Sequence, residues 1–61
     1  MKKTNKMATI GQLNGQTGKY TYIERRVYED EKGVSFVLIN DDFISLIWLR
    51  MNGRKVNVWF N

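Results

Sequence analysis

Residues 43–60 constrain the fold more than any other stretch, because two apolar runs there flank the dipeptide Asn52-Gly53. Asn-Gly between two such runs is a strong signal for a β-hairpin with a type I′ turn, since both turn residues need a positive φ. A two-residue turn fixes the register, so we predict that Leu49 faces Val56 on one side and Trp48 faces Asn57 on the other. The first side is nearly all hydrocarbon and is predicted to be core. The second carries indoles and cations and is the predicted functional side.

A second hairpin is predicted just before the first. Residues 34–39 form an apolar run, and Asn40-Asp41 after it tolerate the left-handed conformation of a tight turn. This turn places Leu38 opposite Phe43, and the two turns, assigned independently, put one apolar set on the same side of the sheet. That set is the predicted core: Val34, Phe36, Leu38, Phe43, Ile47, Leu49, Val56, Val58 and Phe60.

The first half of the chain predicts two more strands. Residues 7–13 form a short strand in which Gly11 suits a bulge or an edge, and residues 14–18 form a turn. Residues 19–28 are rich in aromatic and β-branched residues, but neither side of that strand is cleanly apolar, so a bulge near residues 24–26 would reconcile its two ends. We therefore predict an all-β fold, a five-stranded antiparallel meander that is twisted or curled into a barrel of SH3-like or OB-like size. A disordered basic tail, residues 1–6, precedes a single domain, residues 7–61.

An alternative α+β fold replaces the fourth strand with a short helix over residues 45–52. Ser45 would cap this helix, Ile44 would pack on Leu49, and Gly53 would end it in the left-handed conformation. The β-branched and aromatic content of the stretch and its Asn-Gly dipeptide favour the strand.

The composition restricts the possible chemistry. The chain has no His and no Cys, which excludes Ser-His-Asp and Cys-His catalysis within one chain and zinc sites built from those ligands. The carboxylates at residues 29–31 and 41–42 have no EF-hand spacing, and we interpret them as solvated loop residues. We expect no enzymatic activity, no metal and no cofactor.

Charge and length bear on the partners. The formal net charge is +4, to which Lys2, Lys3 and Lys6 contribute, and the predicted final hairpin carries cations without any acid.

No apolar stretch has the length of a signal peptide core or a membrane span, so we expect a cytoplasmic protein without membrane contact. With 61 residues and no disulfide the core must be thin. Association into a homodimer would add stability.

Two functions remain open for this non-enzymatic module. The first is nucleic-acid binding, in which indoles stack on bases and cations meet phosphates. The alternative is a protein-interaction module or inhibitor, of the accessory type found in phages and mobile elements, that buries the Trp48 and Trp59 face or adds an edge strand to its partner. The residues predicted to bind nucleic acid or a partner are Arg25, Arg26, Trp48, Arg50, Arg54, Lys55, Asn57 and Trp59.

Overall fold

The fold is one five-stranded antiparallel sheet with a short helix, seen in a computed structural model that describes all residues from Met1 to Asn61. The elements in chain order are β1 (Lys2–Leu13), β2 (Tyr20–Glu29), β3 (Ser35–Ile39), β4 (Asp42–Ser45), α1 (Leu46–Met51) and β5 (Lys55–Phe60). The predicted class, a small five-stranded antiparallel β domain, is confirmed.

The strands lie in the order β4-β3-β2-β1-β5, so the first four form a meander and the fifth does not continue it. Helix α1 carries the chain from one edge strand, β4, to the other, β5. The last strand then pairs antiparallel with the first, as in Ile10 opposite Val56. The predicted pairing of β5 with residues 45–50 is therefore wrong.

One face of the sheet, here called the inner face, holds the core. Ala8, Ile10, Val27 and Val37 are buried on it, and Leu46 and Leu49 of α1 close over them. The opposite side is called the outer face. Because side chains alternate along each strand, the neighbours of these buried residues point outward.

Helix α1 forms where the favoured prediction placed a strand, and it has the signals of the alternative. Ser45 is the N-cap, and its Oγ accepts a hydrogen bond of 3.0 Å from the Trp48 N–H. At the other end the Gly53 N–H donates to the Arg50 carbonyl and the Arg54 N–H donates to the Leu49 carbonyl, with Gly53 at φ 81°. This is a Schellman motif, so Asn52-Gly53 ends a helix and does not form a hairpin turn.

The hairpin of β3 and β4 has the predicted register but buries the opposite side. Asn40 and Asp41 both have positive φ, at 50° and 65°, and Leu38 lies opposite Phe43. However, Val37 is buried while Phe43 is exposed. The predicted core side is therefore wrong here, and also at Ile47, Val58 and Phe60, which are exposed. Leu49 is buried and Val56 packs against the core, as predicted.

The first strand is longer than expected and carries the irregularity of the sheet. Residues 1–6 were predicted as a disordered tail, whereas β1 begins at Lys2 and pairs there with Glu29. The register of β1 and β2 shifts between Lys3 and Met7, so the bulge lies in β1 and not at residues 24–26 of β2. No helix of the structure is long and apolar enough to span a membrane.

Candidate nucleic-acid interface

None of the eight aromatic side chains belongs to the buried core, which is entirely aliphatic. Large aromatic rings normally contribute much of the buried area of a small domain. In this protein each ring is at least partly exposed, and six of them lie on the outer face. These six are Tyr20, Tyr22, Tyr28, Phe36, Phe43 and Trp59.

Three strands build a regular patch on the outer face, because β1 pairs with β5 on one side and with β2 on the other. The pairings give three cross-strand rows, which together we call the three-row surface. The rows are Lys55, Gly11 and Tyr22; then Asn57, Thr9 and Glu24; then Trp59, Met7 and Arg26.

Gly11 is the centre of the first row, and the ring of Tyr22 lies against it. A Cβ atom at Gly11 would come within 2.6 Å of Cε1 and 2.9 Å of Cδ1 of Tyr22. Gly11 is buried, whereas Tyr22 is 56% exposed. The ring therefore covers the glycine backbone and keeps much of its own surface in solvent. Aromatic cover of a strand glycine is a known device for stabilising a sheet.

Tyr20, which pairs with Leu13, extends this row into a cluster of aromatic and cationic groups and is counted with the three-row surface from here on. The rings of Tyr20 and Tyr22 are stacked, with centroids 6.0 Å apart and planes at 28°. The Lys55 ammonium nitrogen lies 4.3 Å from the Tyr20 ring centroid, within the range of a cation–π contact. Two adjacent rings and a cation on an open sheet are the elements of a base-stacking platform.

The third row is more enclosed. Trp59 and Arg26 are half-buried, and the Arg26 guanidinium donates a 2.9 Å hydrogen bond to the Thr4 carbonyl. Arg26 is thereby held beside the bulge of β1. The charged residues of the three rows are two cations, Lys55 and Arg26, and one carboxylate, Glu24.

The predicted site residues fall into three groups in the structure. Lys55, Asn57, Trp59 and Arg26 share the three-row surface. Trp48, Arg50 and Arg54 lie on or just after α1, where the Arg54 guanidinium is 5.7 Å from the Trp48 ring centroid. Arg25 lies in the inner-face row of Ala8, is exposed, and donates to the carbonyl of Glu24.

Sequence reasoning missed Gly11, Tyr20 and Tyr22 as members of this surface. Two signals were present: tyrosines at alternate positions 20 and 22, and a glycine within a strand. A glycine inside a strand often marks the close approach of another group. That Tyr22 lies beside Gly11 follows only from the register of β1 and β2, which the sequence does not provide.

A second exposed feature is the outer side of α1. Ile47, Trp48 and Met51 are 58%, 50% and 81% exposed, and Phe43 at the end of the sheet is 44% exposed. Leu46 and Leu49 on the other side of the helix are buried. The helix is thus apolar on both sides, although only one side has a partner within the chain. We call Phe43, Ile47, Trp48 and Met51 the helix patch.

Comparison with protein families, with curated proteins and with solved structures found no match to this chain.

Proposed function

We propose that this protein is a non-enzymatic module that binds single-stranded nucleic acid on the three-row surface. The observation that carries the proposal is the exposed ring of Tyr22 lying against Gly11, beside Tyr20 and Lys55. A ring supported by the sheet loses little conformational freedom when a base stacks on it. Bases of any sequence can stack, so the expected binding has little sequence preference.

Six residues of the outer face have an expected role. Tyr22 and Tyr20 take one base each, and the Lys55 ammonium meets a backbone phosphate next to them. Asn57 lies in the adjoining row, where its amide can donate to and accept from a base or sugar. Trp59 and Arg26 continue the track into the third row of the same face.

The charge of the surface predicts moderate electrostatic affinity. With two phosphates neutralised, by Lys55 and Arg26, the slope of log K against log salt should be roughly −1.4 for a single strand. A fourfold rise in salt concentration should then weaken binding roughly sevenfold. A much steeper slope would require more cations than the three-row surface supplies.

Fluorescence anisotropy with a labelled single-stranded oligonucleotide, measured at two salt concentrations, tests the proposal. The informative pair is Tyr22→Leu and Tyr22→Phe. Leucine still covers Gly11 but has no ring, so we expect the loss of about 1–3 kcal/mol of stacking free energy. Phenylalanine keeps the ring and should bind like the natural protein.

Three results would contradict the proposal. They are the absence of binding at low salt, equal binding by Tyr22→Leu and Tyr22→Phe, and tighter binding to duplex than to single strand. An unfolding titration of both variants shows whether either substitution disturbs the fold. An Arg50→Gln variant removes an exposed charge from α1, away from the three-row surface, and should bind almost like the natural protein.

The helix patch favours a second candidate function, a protein-interaction module that can also pair with itself. Contiguous exposed apolar side chains on a small domain mark contact surfaces for proteins. Light scattering tests self-association, and Met51→Lys, at an 81% exposed position, should convert any dimer to monomer. A molar mass that stays at the monomer value at every protein concentration would contradict the homodimer. Trp48, Arg50 and Arg54 would serve this surface and not the three-row surface.

A further inference from the structure

The inner face is open at one end, where the space between α1 and the sheet forms a cavity of about 350 Å³. Its floor is aliphatic and belongs to the edge of the core. Four isoleucines and a leucine line it: Ile10, Ile23, Ile39, Ile44 and Leu49. The volume falls within the range of small-molecule sites in proteins.

The wall changes from apolar to polar toward the mouth. Along β1 and β2 the pair Ile10 and Ile23 is followed by the pair Gln12 and Thr21, and Asn40 of the β3–β4 turn also reaches the cavity. An aliphatic floor with a few polar groups at the rim suits a ligand with an apolar tail and a polar head.

Arg54 supplies the only charge in the lining. It is half-buried, lies near the Trp48 ring, and donates one 3.3 Å hydrogen bond to the Asn52 carbonyl. No carboxylate pairs with it, since the single ion pair of the protein joins Lys6 and Glu29. Its remaining guanidinium N–H groups suit the two oxygens of a carboxylate.

We propose that this cavity binds a small amphipathic carboxylate, with its hydrocarbon tail against the isoleucines and its carboxylate on Arg54. The charge complementarity between Arg54 and an anionic head selects this class over a neutral amphiphile. The proposal is independent of nucleic-acid binding, because Tyr22, Lys55 and Asn57 lie on the other face of the sheet.

Trp48 lines the cavity and can report its occupancy by fluorescence. The measurement uses the Trp59→Phe variant, in which Trp48 is the only indole. It is titrated with octanoate and, separately, with octanol as a neutral probe of the same chain length, both well below micelle-forming concentrations. We expect a saturable change with octanoate and at least about tenfold weaker binding of octanol, since charge-assisted hydrogen bonds are the stronger ones.

Two variants and one control complete the test. Arg54→Gln should weaken octanoate binding to the level of octanol, whereas Arg50→Gln, which removes an exposed charge from α1 outside the cavity lining, should leave it unchanged. Thr21→Phe places a ring at the mouth, on an exposed residue, and should abolish the saturable change with little effect on the fold. Circular dichroism of each variant checks folding.

Four outcomes would overturn the proposal: no saturable change with octanoate, octanol binding as tightly as octanoate, equal losses in Arg54→Gln and Arg50→Gln, or undiminished binding in folded Thr21→Phe. None of these measurements contains nucleic acid, so their failure and the failure of the proposed function can be told apart.

Discussion

The two faces of the same sheet differ in the kind of apolar side chain that they carry. The inner face is aliphatic and is closed by Leu46 and Leu49 of α1, whereas the outer face is aromatic and has no covering element. Branched aliphatic side chains fill a thin core at high density, but rings on an open face remain available to a partner. We infer that the inner face determines stability, and we propose nucleic-acid binding for the outer face.

The strongest test of this division compares two residues of α1. Leu49→Ala removes a buried side chain and should lower the free energy of unfolding by about 2–5 kcal/mol, which is a large share of what a domain this small possesses. Ile47→Ala, at a 58% exposed position, should change it by less than about 0.5 kcal/mol. Urea titrations followed by circular dichroism give both values. Equal losses would show that the outer side of the helix is also packed.

Gly11→Ala tests the division from the other side, because it changes the outer face directly beneath the Tyr22 ring. The added Cβ would lie 2.6 Å from the Tyr22 ring, so the ring must move away. We expect a loss of about 1–3 kcal/mol in stability, as for other overpacked sites, together with weaker oligonucleotide binding. In a Tyr22→Ala background the same change should cost much less, and the double-mutant cycle measures this coupling. Additive effects would mean that the ring does not lie on Gly11.

The smallest effect is expected at the helix cap. Ser45→Ala removes the acceptor of the Trp48 N–H and should lower the free energy of unfolding by about 1 kcal/mol. Ser45→Asp keeps an acceptor and should restore stability. Because Ser45 is on β4 and Tyr22 is on β2, with β3 between them, oligonucleotide affinity should not change in either folded variant, and anisotropy checks this.

The two Asn-containing turn dipeptides show how much of the fold could be predicted from local sequence. Asn40-Asp41 forms the expected tight turn, because β3 and β4 on either side of it pair with each other. Asn52-Gly53 suits either a hairpin turn or the end of a helix. The helix end forms here because Ser45 caps the helix and because Leu46 and Leu49 are buried against a distant part of the sheet. That burial depends on tertiary contacts, so it cannot be predicted from a short stretch of sequence.

Only part of the candidate site could be predicted from the sequence, again because the pairing of strands depends on tertiary contacts. Alternation along β5 correctly placed Lys55, Asn57 and Trp59 on one side, since that needs only the strand itself. The prediction joined them to Trp48 and Arg50, because it paired β5 with residues 45–50. Their real neighbours, Gly11 and Tyr22, come from strands far earlier in the chain.

The pairing of the first strand with the last has a consequence for biosynthesis. During translation β1 can meet β2 early, but its other edge stays unpaired until β5 has left the ribosome. For most of that time the nascent chain displays a long open strand edge, which is a template for intermolecular pairing. Slow emergence of β5 would therefore favour aggregation, and its early arrival beside β1 would favour the native sheet.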